Sequence, residues 1–431
     1  MDSPKLVRWH RVVIGVIVLM LVGIVYAWSI IKVPFEAHWD AAQLGLNYTL
    51  TIIFFCIGGF LSGLFSKKVS SSVRIMISGI FIFIGFFITS RLDGGSIIPL
   101  YLAYGVLTGL GIGITYITII STTNAWFPDR QGLCSGILLT GFGSSSLIIG
   151  RIADTMGRSE QIGWSNTYIF FAILIGVVLL IAGLMVKPPP EGTAFPEPKI
   201  IKKADPQNIL REVTLSQMVK LPSFYISFLI LSFFSFAGMA SISFARNILL
   251  DVGASVGFAV TVVGLLAVAN GIGRLVAGWL FDNLGITKTR YVYSACGLIA
   301  PVVLTVALLT DSLFLGVIGM CLQGFSFGFT PTCVSVFTLR FFGAKNFTSN
   351  YGLMNMVLIP ASLTATLAGV IKDATGEFTL AFLIISVFAL IAAVMNIVHE
   401  RYNKRKINEN QRKPTKTNEN QRKLTENNKN Q

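Results

Sequence analysis

Long apolar runs separated by short polar connections recur along the whole chain. Each run holds roughly 20 residues with few charges, enough to cross the ~30 Å hydrocarbon core of a bilayer as an α-helix. Helix is the expected form because lipid offers no hydrogen-bonding partner to exposed backbone groups. We predict an all-α membrane protein with twelve transmembrane helices at 12–33, 44–66, 73–91, 97–122, 131–152, 167–186, 223–247, 257–280, 289–309, 312–338, 348–372 and 378–398.

One long polar connection divides these runs into two sets of six. It covers 187–222 and is rich in proline, so we expect a semi-extended linker. Residues 1–186 and 223–398 are then two six-helix halves. The polar segment 399–431 repeats Asn-Glu-Asn-Gln-Arg-Lys and has too few apolar residues to form a core, so it is expected to be a disordered basic tail. A solvated tail with weak attraction to anionic lipid is favoured over a specific partner site.

Charge and composition narrow the class of protein. The chain carries 34 Lys+Arg against 20 Asp+Glu, an excess that would suggest nucleic acid as the partner of a soluble protein. However, 53% of the residues are hydrophobic and only 13% are charged, against about 25% charged in soluble domains. With both termini on one side, 27 of the 34 basic residues lie on that side. The positive-inside rule then places the termini, linker and tail in the cytoplasm, and no nucleic acid partner is expected.

A short spacing, Gly-x3-Asp-x2-Gly, marks an internal repeat. It begins at Gly150, Gly278 and Gly369, with a degraded copy at Gly59. In chain order the four copies begin at 59, 150, 278 and 369. The first and second are 91 residues apart, as are the third and fourth, and corresponding copies in the two halves are 219 residues apart. Each half therefore consists of two three-helix units that enter the membrane from opposite sides. Inverted repeats of this kind are typical of alternating-access carriers.

The third copy of the repeat is a candidate gate. It contains Gly278, Asp282 and Gly285, and Lys288 and Arg290 follow closely. Glycines allow close helix approach and a tight turn, and the aspartate can cap a helix or pair with a base. We interpret these residues as a gating or structural latch rather than as a substrate site.

One charge lies deep inside an apolar run. Arg274 stays protonated, and an arginine near the bilayer centre costs ~2.5–3.5 kcal/mol even on the lenient insertion scale. No carboxylate lies within the predicted spans, so we expect the missing counter-ion to be a cargo carboxylate held by the guanidinium. Asn270, one turn earlier, would bind the same ligand. The alternatives are backbone carbonyl partners, or a side chain that snorkels towards Asp282.

Other residues of the spans are weaker candidates for the site. Lys32, at the end of the first span, is interpreted as snorkelling to the interface rather than binding an anion. Aromatic side chains that would wall a small organic anion, or pack against helices or lipid, are Tyr26, Trp28, Tyr116, Phe325 and Phe329.

Several chemistries lack the residues that they need. The five cysteines fall inside apolar runs without metal or disulfide spacing, and no His, Glu, Asp or Cys cluster occurs within a span. A GxxxxGK[ST] loop for ATP is also missing. We therefore expect no metal, no cofactor and no enzyme activity. Without a buried acid or histidine to relay protons, anion exchange, or proton co-transport by another route, is favoured over relay-type symport.

Several motifs resemble one family. The segments are Tyr26-Ala-Trp-Ser29, Gly109-x-Gly-x-Gly-x-x-Tyr116, Trp126-Phe-Pro-Asp-Arg130, Gly132-x3-Gly136, Asn270-Gly-x-Gly-Arg274, Gly328-Phe-Thr-Pro331, Phe342-Gly-Ala-Lys-Asn346 and Asn350-Tyr-Gly352. They are similar to the major facilitator superfamily and, within it, to the oxalate/formate antiporter family, itself similar to monocarboxylate transporters. The resemblance implies that Arg274 is the carboxylate-binding arginine, that Tyr26 and Tyr116 are pocket tyrosines, and that Phe325 and Phe329 line the pocket.

One departure from the family bears on the cargo. The oxalate carrier has a second cation, a lysine, on helix eleven, whereas this chain has Leu358 near that place. The resemblance therefore implies a monocarboxylate such as formate, lactate or pyruvate rather than oxalate. We expect a monomeric secondary transporter in the plasma membrane of a prokaryote. The alternatives are an exporter of drugs or hydrophobic compounds with the same fold, and a carrier-like sensor that does not transport.

Overall fold

In the part of the chain that the structure describes, twelve helices are long and apolar enough to cross a membrane. The computed structural model describes residues 4–127, 131–190, 193, 212–343 and 346–412. The helices, numbered α1 to α12, are Arg8–Phe35, Ala41–Leu64, Ser71–Thr89, Ile98–Asn124, Cys134–Gly157, Gly163–Met185, Pro222–Asp251, Val256–Phe281, Asn283–Leu309, Leu313–Leu339, Ser349–Thr375 and Thr379–His399. The predicted all-α architecture with twelve spans is confirmed.

Helices α8 and α9 follow each other with almost no loop. The backbone is helical from Val256 to Leu309 except at Gly285, where φ is 75° and ψ is 174°. Glycine adopts positive φ readily because it has no Cβ. The connection of several residues expected between 280 and 289 is therefore replaced by a turn at the last glycine of the Gly-x3-Asp-x2-Gly motif.

The last helix extends beyond its predicted end. It runs from Thr379 to Arg412, so the disorder predicted for 399–431 does not begin at 399. Residues 400–412 are rich in Glu, Lys and Arg, which have good helix propensity, and they lengthen a helix that is already nucleated. Residues 413–431 and most of the predicted linker lie outside the described residues.

The halves meet mainly through two helix pairs, α2 with α11 and α5 with α8, and the end of α1 also contacts α7. An even number of spans puts both ends of the helix array on one side, here named the terminal side; the other is the far side. Near the far side, a Cβ on Gly45 of α2 would lie 2.5 Å from the carbonyl oxygen of Ala365 on α11. One turn further, Thr49 donates a hydrogen bond of 2.6 Å to the carbonyl of Ser362. The two helices are therefore in backbone contact near the far side.

The halves separate towards the terminal side. There α2, α4 and α11 surround a cavity of about 290 Å³ that is lined by Gly59, Gly63, Asn124, Ser349 and Tyr351, among others. The arrangement therefore closes the far side and leaves space on the terminal side.

Candidate functional site

Arg274 lies on α8 and reaches across the interface between the halves. Its side chain is only 3% exposed. Nη1 donates to the carbonyl of Leu139 on α5, and Nη2 donates to the hydroxyl of Tyr26 on α1 at 3.2 Å. The Nε atom is buried without a hydrogen-bond partner. One guanidinium thus connects three helices from two halves and retains an unused donor.

The charge of Arg274 is not balanced by a protein acid among the described side chains. No ion pair joins it to a described carboxylate within 4.0 Å, and its two partners are neutral oxygens. Leu139 supplies the backbone carbonyl partner that the sequence allows as an alternative to a cargo anion, but for one nitrogen only. The guanidinium donates to α5 and α1 within the interface, whereas the side chain of Asp282 lies outside the described part of the chain.

A small cavity with aromatic walls adjoins Tyr26, the hydrogen-bond partner of this arginine. The space open to water at its centre is about 20 Å³, room for about one water molecule. Tyr26, Phe142 and Tyr116 form its wall on the N-terminal half, with ring centroids 5.2 Å apart for Tyr26–Phe142 and 4.9 Å for Tyr116–Phe142. Phe327 and Leu358 close it from the C-terminal half. Tyr26 belongs to both the cavity wall and the arginine contact, so it connects the two features.

Asn270 lies next to the arginine, as predicted from the helical spacing. It is 1% exposed, and its Oδ1 has no hydrogen-bond partner. A Cβ on Gly143 of α5 would lie 3.4 Å from both this oxygen and Cζ of Arg274. Gly143 therefore lets α5 approach the pair closely. Gly143 and the carbonyl of Leu139 could not be found from the sequence, because a glycine and a backbone group carry no side-chain signal.

The rings predicted on α10 do not reach the cavity. Phe329 is fully buried and stacks on Tyr293, with ring centroids 5.8 Å apart. Phe325 packs on Phe329, with ring centroids 5.3 Å apart. Phe327 takes the position on the cavity wall. Residues two apart on a helix point roughly 200° away from each other, so a shift of two positions exchanges the faces. Trp28 is likewise buried, against Tyr104 at 4.8 Å, and does not line the cavity.

The interpretation of Lys32 as a snorkelling side chain is wrong. It is 1% exposed, its Nζ lies 3.7 Å from Oε1 of Glu36, and it also lies 3.7 Å from the centroid of the Phe244 ring on α7. The ring of Phe244 and the last turn of α1 cover the ammonium group. The apolar run that contains Lys32 does not reveal this burial, because the covering ring of Phe244 belongs to the other half of the chain.

The glycines of the candidate gate on the terminal side have open surroundings in this conformation. A Cβ on Gly278 or Gly285 would meet no atom within 4 Å, and Lys288 is exposed. Arg290 is buried and donates to Oδ1 of Asn396 at 2.8 Å, which ties α9 to α12. Because the side chain of Asp282 lies outside the described part of the chain, the latch around Gly278 and Asp282 stays a prediction.

The fourth copy of the repeat does form a contact between the halves, on the far side. The two carboxylate oxygens of Asp373 on α11 accept hydrogen bonds from the amides of Ala41 and Ala42 at 3.1 and 2.7 Å. These amides are free donors at the start of α2, and the helix dipole favours a negative charge there. The carboxylate of one half thus caps a helix of the other.

Removing this cap is expected to favour opening of the far side. Loss of a capping side chain costs ~1 kcal/mol, which is a factor of roughly five in an equilibrium. In Asp373→Ala, pulsed EPR between spin labels at 91 and 311 should show about fivefold more of the longer distance. Asp251→Ala is the matched control, because Asp251 pairs at 2.6 Å with Lys372 of its own half. An unchanged distance distribution in Asp373→Ala would mean that the cap does not hold the halves together.

The sequence matches the model of one protein family. A protein-family model described as the Major Facilitator Superfamily matches residues 12–358 of the chain. The chain belongs to the Major Facilitator Superfamily. It is accordingly a multi-pass membrane protein of a transporter superfamily, which sits in a lipid bilayer and binds a small substrate. The superfamily does not specify the substrate.

Curated relatives cover most of the chain at low identity. An uncharacterized MFS-type transporter, YhjX of Escherichia coli K12, is 27% identical over 80% of this chain and 84% of its own. The oxalate:formate antiporter of Oxalobacter formigenes is 22% identical over 89% and 90%. Human monocarboxylate transporter 12 is 26% identical over 85% and 75%. The resemblance stated from the motifs is thereby confirmed.

Solved structures support the fold alone. A bacterial homologue of the human lysosomal transporter Spinster, in an inward-facing and unoccupied conformation, gives a TM-score of 0.67 at 16% identity and covers 92% of this chain and 97% of that one. A D-xylose-proton symporter gives 0.66 at 16% identity, with 89% and 96% coverage.

Proposed function

We propose that this superfamily member transports a small organic monocarboxylate by alternating access, with Arg274 as its carboxylate-binding residue. The observation that carries the proposal is the buried guanidinium, which has no acid partner among the described side chains, has an Nε without a hydrogen-bond partner, and is bonded to Tyr26 on the wall of the small cavity. A charge held in this way is stabilised when a carboxylate arrives, because charge-assisted hydrogen bonds are roughly twice as strong as neutral ones. The names of two relatives, an oxalate:formate antiporter and a monocarboxylate transporter, agree with an anionic cargo.

The single cation favours a single carboxylate. The face of α11 on the cavity presents Asn355 and Leu358, neither of which carries charge. A dicarboxylate would leave its second group unpaired between aromatic rings, at the high cost of burying a lone charge. Formate, lactate and pyruvate avoid that cost.

The contacts of Arg274 also suggest how binding is coupled to movement. Its hydrogen bonds to Leu139 and Tyr26 tie α8 to the opposite half in this conformation. A bound carboxylate would take up these donors and so loosen one tie between the halves. We expect the halves then to rock about the site, in exchange or together with a proton.

We also propose the orientation from charge. The excess of Lys and Arg on the terminal side supports a cytoplasmic location for that side, with the far side facing outwards. Bacterial relatives such as YhjX support the plasma membrane as the location.

Counterflow in proteoliposomes tests the proposal. Vesicles loaded with unlabelled formate, lactate or pyruvate should accumulate the labelled form of the same anion, and loaded oxalate should be a poorer partner. Transport of hydrophobic cations in place of these anions would contradict it and favour drug export. Carboxylate binding without counterflow would contradict it in another way and favour a sensor.

A second positive charge in the cavity is expected to change the preference. Leu358→Lys places an ammonium on the cavity wall opposite the α1 and α5 groups, so a second carboxylate would find a partner. One charge-assisted contact corresponds to roughly 10-fold or more in affinity. The ratio of oxalate to formate exchange should rise by about that factor. Leu358→Gln, similar in size without charge, is the control; an equal change in both variants would show that charge in the cavity does not select the cargo.

A further inference from the structure

A second group of charges, two buried cations and a partly exposed carboxylate, lies at the closed far side. Glu36, near the end of α1, accepts a hydrogen bond from Nδ2 of Asn247 at 2.7 Å and pairs with Nη1 of Arg246 at 3.4 Å. Lys32 lies 3.7 Å from the same carboxylate. Lys32 and Arg246 are 1% and 7% exposed. One carboxylate of the N-terminal half thus holds two polar residues of α7 in the other half.

The charges in this group do not balance. Two cations, Lys32 and Arg246, share the single carboxylate of Glu36, and Nε of Arg246 is buried without a hydrogen-bond partner. Two further carboxylates stand nearby in the C-terminal half. Asp251 is held by Lys372 at 2.6 Å, and Asp373 accepts from the amides of α2. Among the described contacts, neither of them pairs with Arg246.

Opening of the far side divides this group unequally. Lys32 and Glu36 are four residues apart on α1 and stay together as a neutral pair. Arg246 moves with α7 and loses the carboxylate that now neutralises it. It then carries a full charge without a carboxylate partner at the far-side end of the interface between the halves, next to the amide of Asn247.

We propose that Arg246 is a second carboxylate-binding site, which Glu36 occupies when the far side is closed and which the transported anion occupies when the far side is open. The proposal rests on the anionic cargo of the proposed function and adds a receiving site on the way to Arg274. Glu36 presents to Arg246 the same chemical group that a monocarboxylate presents. Glu36 and the cargo therefore compete for the guanidinium of Arg246. The far side closes again once the anion has left Arg246.

Two variants distinguish the closing ion pair Glu36–Arg246 from anion binding by Arg246. Glu36→Gln and Arg246→Gln both remove the ion pair, but only Glu36→Gln keeps the arginine. Uptake of [14C]formate and [14C]lactate into intact cells gives the KM from the far side, and uptake into inverted membrane vesicles gives the KM from the terminal side. Glu36→Gln should lower the far-side KM about threefold, and Arg246→Gln should raise it at least about tenfold relative to Glu36→Gln. The difference in terminal-side KM between the two should stay within about twofold.

Two further variants complete the design. The double variant Glu36→Gln/Arg246→Gln should behave like Arg246→Gln, and Arg246→Lys should recover part of the far-side affinity. If both single variants lower the far-side KM equally, Arg246 serves only the ion pair with Glu36, and the proposal is overturned. It is also overturned if Glu36→Gln leaves the far-side KM unchanged, as expected if Asp373 takes over Arg246 on opening.

Failure of the proposed function gives a different pattern. If the wild-type protein exchanges none of the monocarboxylates, both proposals fall together. If Arg274→Gln stops exchange while the two far-side variants shift in parallel, the carboxylate cargo stands and the second site does not.

Discussion

Replacing Arg274 with glutamine is expected to reduce monocarboxylate exchange at least about 100-fold in kcat/KM. Glutamine keeps two hydrogen-bonding atoms but removes the charge and the planar fork that match a carboxylate. A charge-assisted pair in a largely desolvated site contributes ~3 kcal/mol, which is a factor of roughly 100. The measurement is the initial rate of labelled formate, lactate and pyruvate exchange in proteoliposomes over a range of concentrations.

Two variants control for this result. Arg274→Lys keeps the charge without the fork, and we expect an intermediate rate. Arg151→Gln changes an exposed arginine at the far end of α5, whose contact is with Thr261 at 3.4 Å, and should leave exchange within about twofold. Exchange by Arg274→Gln at the wild-type rate, in protein of unchanged melting temperature, would remove the site from Arg274.

Replacing Gly45 with leucine is expected to stop the transport cycle by holding the far side open. A Cβ at this position would lie 2.5 Å from the oxygen and 3.0 Å from the carbon of the Ala365 carbonyl, and a backbone carbonyl cannot swing aside as a side chain can. Overpacking costs ~1–3 kcal/mol, or roughly 5- to 150-fold in the balance between states. Exchange should fall more than about tenfold while the protein remains folded, because the far-side-open state does not need this contact.

The change of conformation can be followed separately from transport. In a variant whose five native cysteines are replaced, a cysteine at Thr49, which is 1% exposed, should react slowly with a membrane-impermeant maleimide. Adding Gly45→Leu should make it react faster. Gly257→Leu is the matched control, since a Cβ there meets no atom within 4 Å. Normal exchange by Gly45→Leu would show that close contact between α2 and α11 is not part of the cycle.

The number of membrane spans and the importance of the buried Arg274 could both be predicted from the sequence. Bilayer thickness sets the length of an apolar run, so the twelve spans follow from counting. The isolation of Arg274 is also visible in the sequence, because a charge in a long apolar run has a known cost. Asn270 follows from helical spacing, since residues four apart share a face.

The details that depend on packing between helices could not be predicted. Which face of α10 meets the cavity is decided by its neighbours, and Phe327 rather than Phe325 or Phe329 is on that face. The burial of Lys32 comes from Phe244, more than 200 residues away along the chain. The pair Glu36–Arg246 also joins the two halves, so neither residue reveals it alone.

Thermal stabilisation by small anions tests the central claim most directly. A ligand that binds only the folded protein raises its melting temperature in proportion to RT ln(1 + [L]/Kd). Purified wild-type protein should melt at a higher temperature in sodium formate, lactate or pyruvate than in sodium chloride of equal ionic strength, and Arg274→Gln should show no such difference. Equal stabilisation of both proteins by these carboxylates, or none for the wild type, would contradict the claim that the partner of Arg274 is the carboxylate of the cargo.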